Sequence, residues 1–173
     1  MTRSLSFVLQ PDLTLPPGRF PMTFDEIETT WAFNGHRKVL LSEAQRYLEA
    51  VGKLTPIHAA WIGGSYLTNK DSPGDVDMSL LIDNEYYLAR QQFLNARSLH
   101  ILARSMNVRV DAYPIPRDHR RTNLTTPAEE KNLVGRGYWD DWWLRRRSIP
   151  PESYDLEPHP RRGYAEVNIN GYS

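Results

Sequence analysis

The chain has 173 residues, 40% hydrophobic and 24% charged, and its 21 Lys and Arg balance 21 Asp and Glu to a formal net charge of zero. That is enough chain to bury a core as one domain, and the even charge gives no strong pull towards nucleic acid or anionic lipid, so tight duplex DNA binding is not expected. The lack of cysteine excludes disulfides, thiolate metal sites and a cysteine nucleophile, and no apolar run nears the roughly 18 residues that span a bilayer; the expectation is a cytoplasmic protein with no membrane partner.

Residues 1–23 read as an arm. Pro11, Pro16, Pro17, Gly18 and Pro21 forbid a long helix or central strand, while Leu5, Phe7 and Leu9 alternate as a short edge strand does. Residues 36–51 predict a helix, with Leu40, Ala44, Tyr47, Leu48 and Val51 on one stripe and Gly52 as its stop. Residues 57–62 and 76–82 predict buried strands, and residues 85–106 a helix with Tyr87, Leu94, Ile101 and Leu102 on one side. Residues 107–115 alternate at period two and predict a third strand ending at Pro114. Thr126-Pro127-Ala128-Glu129 has the form of a capping box with proline at the first helical position, opening a helix weakened at Gly135 and Gly137. Trp139, Trp142 and Trp143 fall at i, i+3, i+4 and bury one aromatic face. A Pro-rich loop over 150–162 precedes a last alternating strand, 163–169. The whole is an α/β (α+β) chain: N-terminal arm 1–23, core 36–115, and a C-terminal helix plus strand extension over 126–173.

Chemistry concentrates between Gly63 and Asp111. In a strand the side chains alternate, so Asp75, Asp77 and Ser79 share a face while Val76, Met78, Leu80 and Ile82 take the other. The two carboxylates lie about 7 Å apart along the backbone and repel unless a cation neutralises them; oxygen ligands of this kind select Mg²⁺ or Mn²⁺ over zinc. If 107–115 neighbours 76–82, Asp111 joins them, and three carboxylates from two strands suit a two-metal phosphoryl-transfer site. Asp111 also has a plain structural explanation, an ion pair with Arg109. Gly63 and Gly64 permit a tight turn that brings phosphate to the backbone, Ser65 adds a hydroxyl, and Lys70 is a candidate cation for a triphosphate. His36, His58, His100, His119 and His159 show no ligand spacing.

Gly64-Ser65, nine intervening residues, Asp75-Val76-Asp77 and a later strand Asp111 together resemble the signature of the DNA polymerase beta-like nucleotidyltransferase superfamily. The longer stretches LPPGRFPMTFDEI, GGSYLTNKDSPGDVD and GYWDDWW with PRRGYAEVNI resemble small bacterial and phage proteins of that fold. The resemblance implies a minimal nucleotidyltransferase core, a mixed sheet flanked by helices that binds a Mg-NTP. Asp75 and Asp77 would be the metal pair, Asp111 the third carboxylate, and Gly64 with Ser65 the phosphate turn. The separate helical nucleotide-binding domain of larger members is not evident in this sequence. The implied activity is transfer of NMP from an NTP to a hydroxyl of a protein (AMPylation, for ATP) or an RNA such as tRNA, in a toxin–antitoxin or phage-defence setting. The alternative is a non-catalytic protein of the same fold, an antitoxin or inhibitor acting by contact, with the tryptophans and the Pro-rich arm as its surface.

Overall fold

The computed structural model describes residues 7–117, 127–145 and 161–169. Five strands form one mixed sheet in the order β1-β5-β2-β3-β4, with β1 spanning Gly18–Pro21, β2 Ile57–Gly63, β3 Val76–Asp83, β4 Val110–Arg117 and β5 Gly163–Asn168. The helices are α1 (Phe24–Trp31), α2 (Gly35–Gly52), α3 (Asn84–Arg90), α4 (Ala96–Ser105) and α5 (Pro127–Leu144). The α/β class read from the sequence is the class observed, and no helix among the described residues is long and apolar enough to cross a membrane.

The pairing fixes where chemistry can happen. β2 and β3 are antiparallel, β3 and β4 parallel, β5 antiparallel to β2, and β1 parallel to β5. One end of the sheet therefore collects the starts of β1, β5, β3 and β4 and the finish of β2. The arm before β1, the turn after Gly63, the run up to Val76 and the residues before Gly163 all meet at that end.

Alternation sorts the two faces. Ile57, Ile62, Val76, Met78, Leu80 and Ile82 join Leu40, Leu41, Ala44, Tyr47, Leu48 and Val51 of α2 and Leu99 and Ala103 of α4 in the larger core. Burying each large aliphatic chain of this kind contributes about 1.5–3 kcal/mol. On the opposite face Ala59, Trp61, Leu81, Ile115 and Tyr164 pack with Trp143 of α5. Asp77 and Ser79 belong to this second face, one step along β3 from its apolar set.

Several elements differ from the sequence expectation. α1 was not expected; Thr23 and Glu26 close a reciprocal capping box at its start, with Glu26 N–H donating to Thr23 Oγ1 at 3.2 Å and Thr23 N–H donating to Glu26 at 2.7 Å. The single helix expected over 85–106 is two, because the Asn95 side chain accepts from Ser98 N–H at 3.0 Å and caps a new helix; Leu94 is buried in the break, while Ile101, expected on the buried side, is exposed. Residues 7–9 are not a strand, and Leu5 lies outside the described residues; the arm's edge strand is Gly18–Pro21 instead. β4 runs through Pro114 to Arg117. Pro114 and Pro116 sit two apart on the outermost strand, so both missing N–H groups face the open edge, where proline is tolerated. α5 continues through Gly135 and Gly137. Thr126, most of the loop after Pro114 and nearly all of the Pro-rich loop before β5 lie outside the described residues.

Candidate active site

At the collecting end of the sheet lies a cleft of about 600 Å³, within the range of small-molecule sites. Asp75, Asp77 and Asp111 line it together with Gly64, Ser65 and Thr68, and its other walls come from Asp12, Thr14, Trp142, Trp143, Arg145 and Arg162. Asp77 and Asp111 are direct partners in the β3–β4 register, and Gly63 faces Asp77 across β2–β3. Like charges placed opposite each other on neighbouring strands destabilise a sheet, so this juxtaposition works against the fold that carries it.

Asp111 is not neutralised by Arg109. That guanidinium instead grips Glu43 of α2 through Nε and Nη2 at 3.0 and 2.9 Å, and the Arg109 N–H donates to the same carboxylate at 2.9 Å. The bond from Arg109 holds the Glu43 carboxyl below its ordinary range. Asp111 accepts a 2.9 Å hydrogen bond from the Tyr113 hydroxyl at Oδ2, and the Tyr113 ring packs on Trp139 with centroids 4.6 Å apart.

The glycines divide their labour. Gly64 has φ +68, and a Cβ there would lie 1.8 Å from Asp77 Oδ2. The backbone thus passes directly against the carboxylate, which only glycine allows. Gly63, which immediately precedes the turn, does not line the cleft; a Cβ on it would meet the Trp143 ring at 2.6 Å, so its lack of a side chain admits that indole. Trp143 is buried and its Nε1 donates to Ser79 at 2.9 Å. Lys70 is also outside the lining residues and exposed. Its carbonyl accepts from Arg37, which ties the loop to α2.

Arg37 went unread in the sequence, where it looks like one more polar helix residue. It is wholly buried in α2, and its guanidinium donates to the carbonyls of Trp31, Tyr66 and Lys70. Burial lowers its pKa, and burial pushes the stacked Tyr66 phenol up to about 12. Tyr66 O–H donates back to the Arg37 carbonyl at 3.0 Å. This cross-brace clamps the Gly64–Leu67 turn to the helical layer. Asp12 and Thr14 were also unforeseen. The arm lies along the cleft because Asn69 N–H donates to the Asp12 carbonyl at 2.8 Å and Trp31 Nε1 to the Leu13 carbonyl at 2.9 Å; Thr14 Oγ1 donates to Asp12 Oδ1 at 2.6 Å.

The donor set along the cleft is carboxylate and hydroxyl oxygen, which fits Mg²⁺ or Mn²⁺. Among the described residues no three His, Asp or Glu side chains are grouped so as to hold a metal ion together. Magnesium needs none, since it is commonly held by one or two carboxylates together with water and substrate phosphate. The residues therefore fit a hard cation shared with a phosphate ligand. Arg145, whose guanidinium pairs with Asp141 at 2.7 Å, and Arg162 add positive charge to the same cleft; Arg146 and Arg147 lie outside the described residues.

No curated protein and no solved structure matches this chain. Residues 7–168 match one family model, which covers the arm, the glycine turn, all three carboxylates and the last strand, and the chain belongs to that family, the family of unknown function DUF6932.

Proposed function

We propose that this protein is a metal-dependent nucleotidyltransferase of the DNA polymerase beta-like superfamily, moving NMP from an NTP to a hydroxyl of a protein or of an RNA such as tRNA. The observation that carries this reading is the register pairing of Asp77 with Asp111 on parallel strands, in one cleft with Asp75 and the Gly64–Ser65 turn. Carboxylates set side by side at a sheet end cost stability, and a cation with an anionic substrate offsets that cost.

In the proposed reaction the acceptor oxygen attacks the α-phosphorus in line. Its new P–O bond forms as the bond to the bridging oxygen breaks, and pyrophosphate leaves. Asp111 takes the acceptor proton; the Tyr113 hydroxyl holds Oδ2, which leaves the other oxygen for that proton. The backbone at Gly64 and the Ser65 hydroxyl receive phosphate oxygens. Asp75 and Asp77, beside Asp111, would hold Mg²⁺ or Mn²⁺, which when bound would supply a lower pKa for the attacking hydroxyl and charge to offset that on the leaving pyrophosphate. A toxin–antitoxin or phage-defence role suits a small transferase of this design.

The test is incubation with Mg²⁺, α-labelled NTPs, tRNA and cell lysate. Wild type should label an acceptor, and Asp77→Asn should lower labelling at least about 100-fold with an unchanged circular dichroism spectrum. Equal labelling by both would refute the assignment. A second reading, a contact-only antitoxin or inhibitor, draws on the exposed Leu88, Phe93 and Ile101 of the α3–α4 segment. It predicts no labelling by either form and equal capture of one partner by both.

A further inference from the structure

The cleft has a wall that the transfer chemistry does not use. Trp139, Trp142 and Trp143 come from the same stretch of α5, yet the fold treats them differently. Trp143 is spent on structure: it is 2% exposed, lies over Gly63 and donates to Ser79. Trp139 packs on Tyr113 and is not among the residues that line the cleft. Trp142 lines the cleft and is only partly buried. Tyr138 lies nearly parallel to it at 6.1 Å and 28°, and Trp139 meets it edge-on at 6.4 Å and 70°, so its ring is braced by two neighbours.

Charge completes the picture. Two guanidinium groups, Arg145 and Arg162, share the cleft with Trp142, the carboxylates and the glycine turn. Arg145 N–H donates to the Trp142 carbonyl at 3.3 Å, and Arg161 and Arg162 N–H groups donate to the Leu144 carbonyl at 2.9 and 3.2 Å. The indole and both cations are thus set by one short stretch of backbone. A braced aromatic ring in one cleft with cations, carboxylates and a glycine turn has the chemistry of a site for a nucleotide with its base on the ring.

We infer that Trp142 is the base platform of this site, and that the protein selects nucleotides by stacking, with purines preferred over pyrimidines. This rests on the nucleotidyl-transfer reading above and adds the substrate class. Stacking area, larger for a purine, then sets the preference, and since every base has a π-face all four nucleotides bind to some degree.

The test measures equilibrium binding, in Mg²⁺, of non-hydrolysable ATP and CTP analogues and of inorganic tripolyphosphate to wild type, Trp142→Phe and Trp142→Ala. Wild type should bind the ATP analogue roughly tenfold or more tighter than tripolyphosphate, and a few-fold tighter than the CTP analogue. Trp142→Ala should lose that advantage while holding tripolyphosphate as wild type does, which shows that the cleft is intact; Trp142→Phe should keep most of it. An unchanged ATP-to-tripolyphosphate ratio in Trp142→Ala would overturn the platform and leave the transfer reading standing. Failure of wild type to bind either nucleotide or tripolyphosphate would overturn both.

Discussion

At the scale of single residues, the site turns on how closely backbone and carboxylate approach. Gly64 adopts a left-handed conformation with no room for a methyl group beside Asp77 Oδ2. Gly64→Ala should therefore displace Asp77, destabilise the fold by about 1–3 kcal/mol, and weaken Mg-nucleotide binding more than global unfolding explains. Urea denaturation paired with nucleotide titration separates the two effects, and a variant with wild-type binding would show that the close approach is incidental. The pattern of glycine, serine and paired aspartates was legible because those residue types serve few purposes at that spacing. Gly63 and Lys70 do not line the cleft, and only tertiary packing reveals that Trp143 packs on the glycine and that the lysine's loop is tied down by Arg37. Arg37 itself was invisible: nothing local distinguishes a buried cation braced by three carbonyls from a solvated one.

At the scale of elements, α2 does more than cover the sheet. Its Glu43 clamps Arg109 just before β4, and so sets where Asp111 begins its strand. Because this bond depresses the folded-state pKa of Glu43, its contribution exists above the ordinary carboxylate value of 4.5 and disappears as pH falls through the lower folded value. Arg109 is 41% exposed, so the contribution is at most about 1 kcal/mol. Glu43→Gln should be less stable than wild type by about that amount at pH 7, and the two should converge in acid; a gap that stays constant with pH, read by denaturant midpoints, would assign the effect to something other than charge. Elements with clean periodicity, α2 and the strands β2, β3 and β5, were readable from sequence. α1 announced itself only by Thr23 and Glu26. The break between α3 and α4 depends on Asn95, an ordinary-looking residue inside an apolar run, and β4 outlasts Pro114 because it is an edge strand, a property of the sheet and not of the segment.

At the scale of the whole molecule, the sequence suggests an arm, a core and an extension, while the sheet merges them: β5 inserts between β1 and β2. That insertion brings Asp12 from one end of the chain and Arg162 from the other to a cleft built around the centre. Strand order is set by long-range pairing, which no local pattern encodes, so half of the cleft wall could not be read in advance. The neighbouring placement of Asp111 and Asp77 could be anticipated only conditionally, on those two strands being adjacent. The account stands or falls on whether those carboxylates handle a nucleotide through a cation. The direct measurement is calorimetric titration of wild type and Asp111→Asn with a non-hydrolysable NTP, with and without Mg²⁺. The account predicts nucleotide uptake by wild type that requires Mg²⁺ and is at least about tenfold weaker in Asp111→Asn. Equal affinity in both proteins, or no uptake by wild type with Mg²⁺ present, would contradict it.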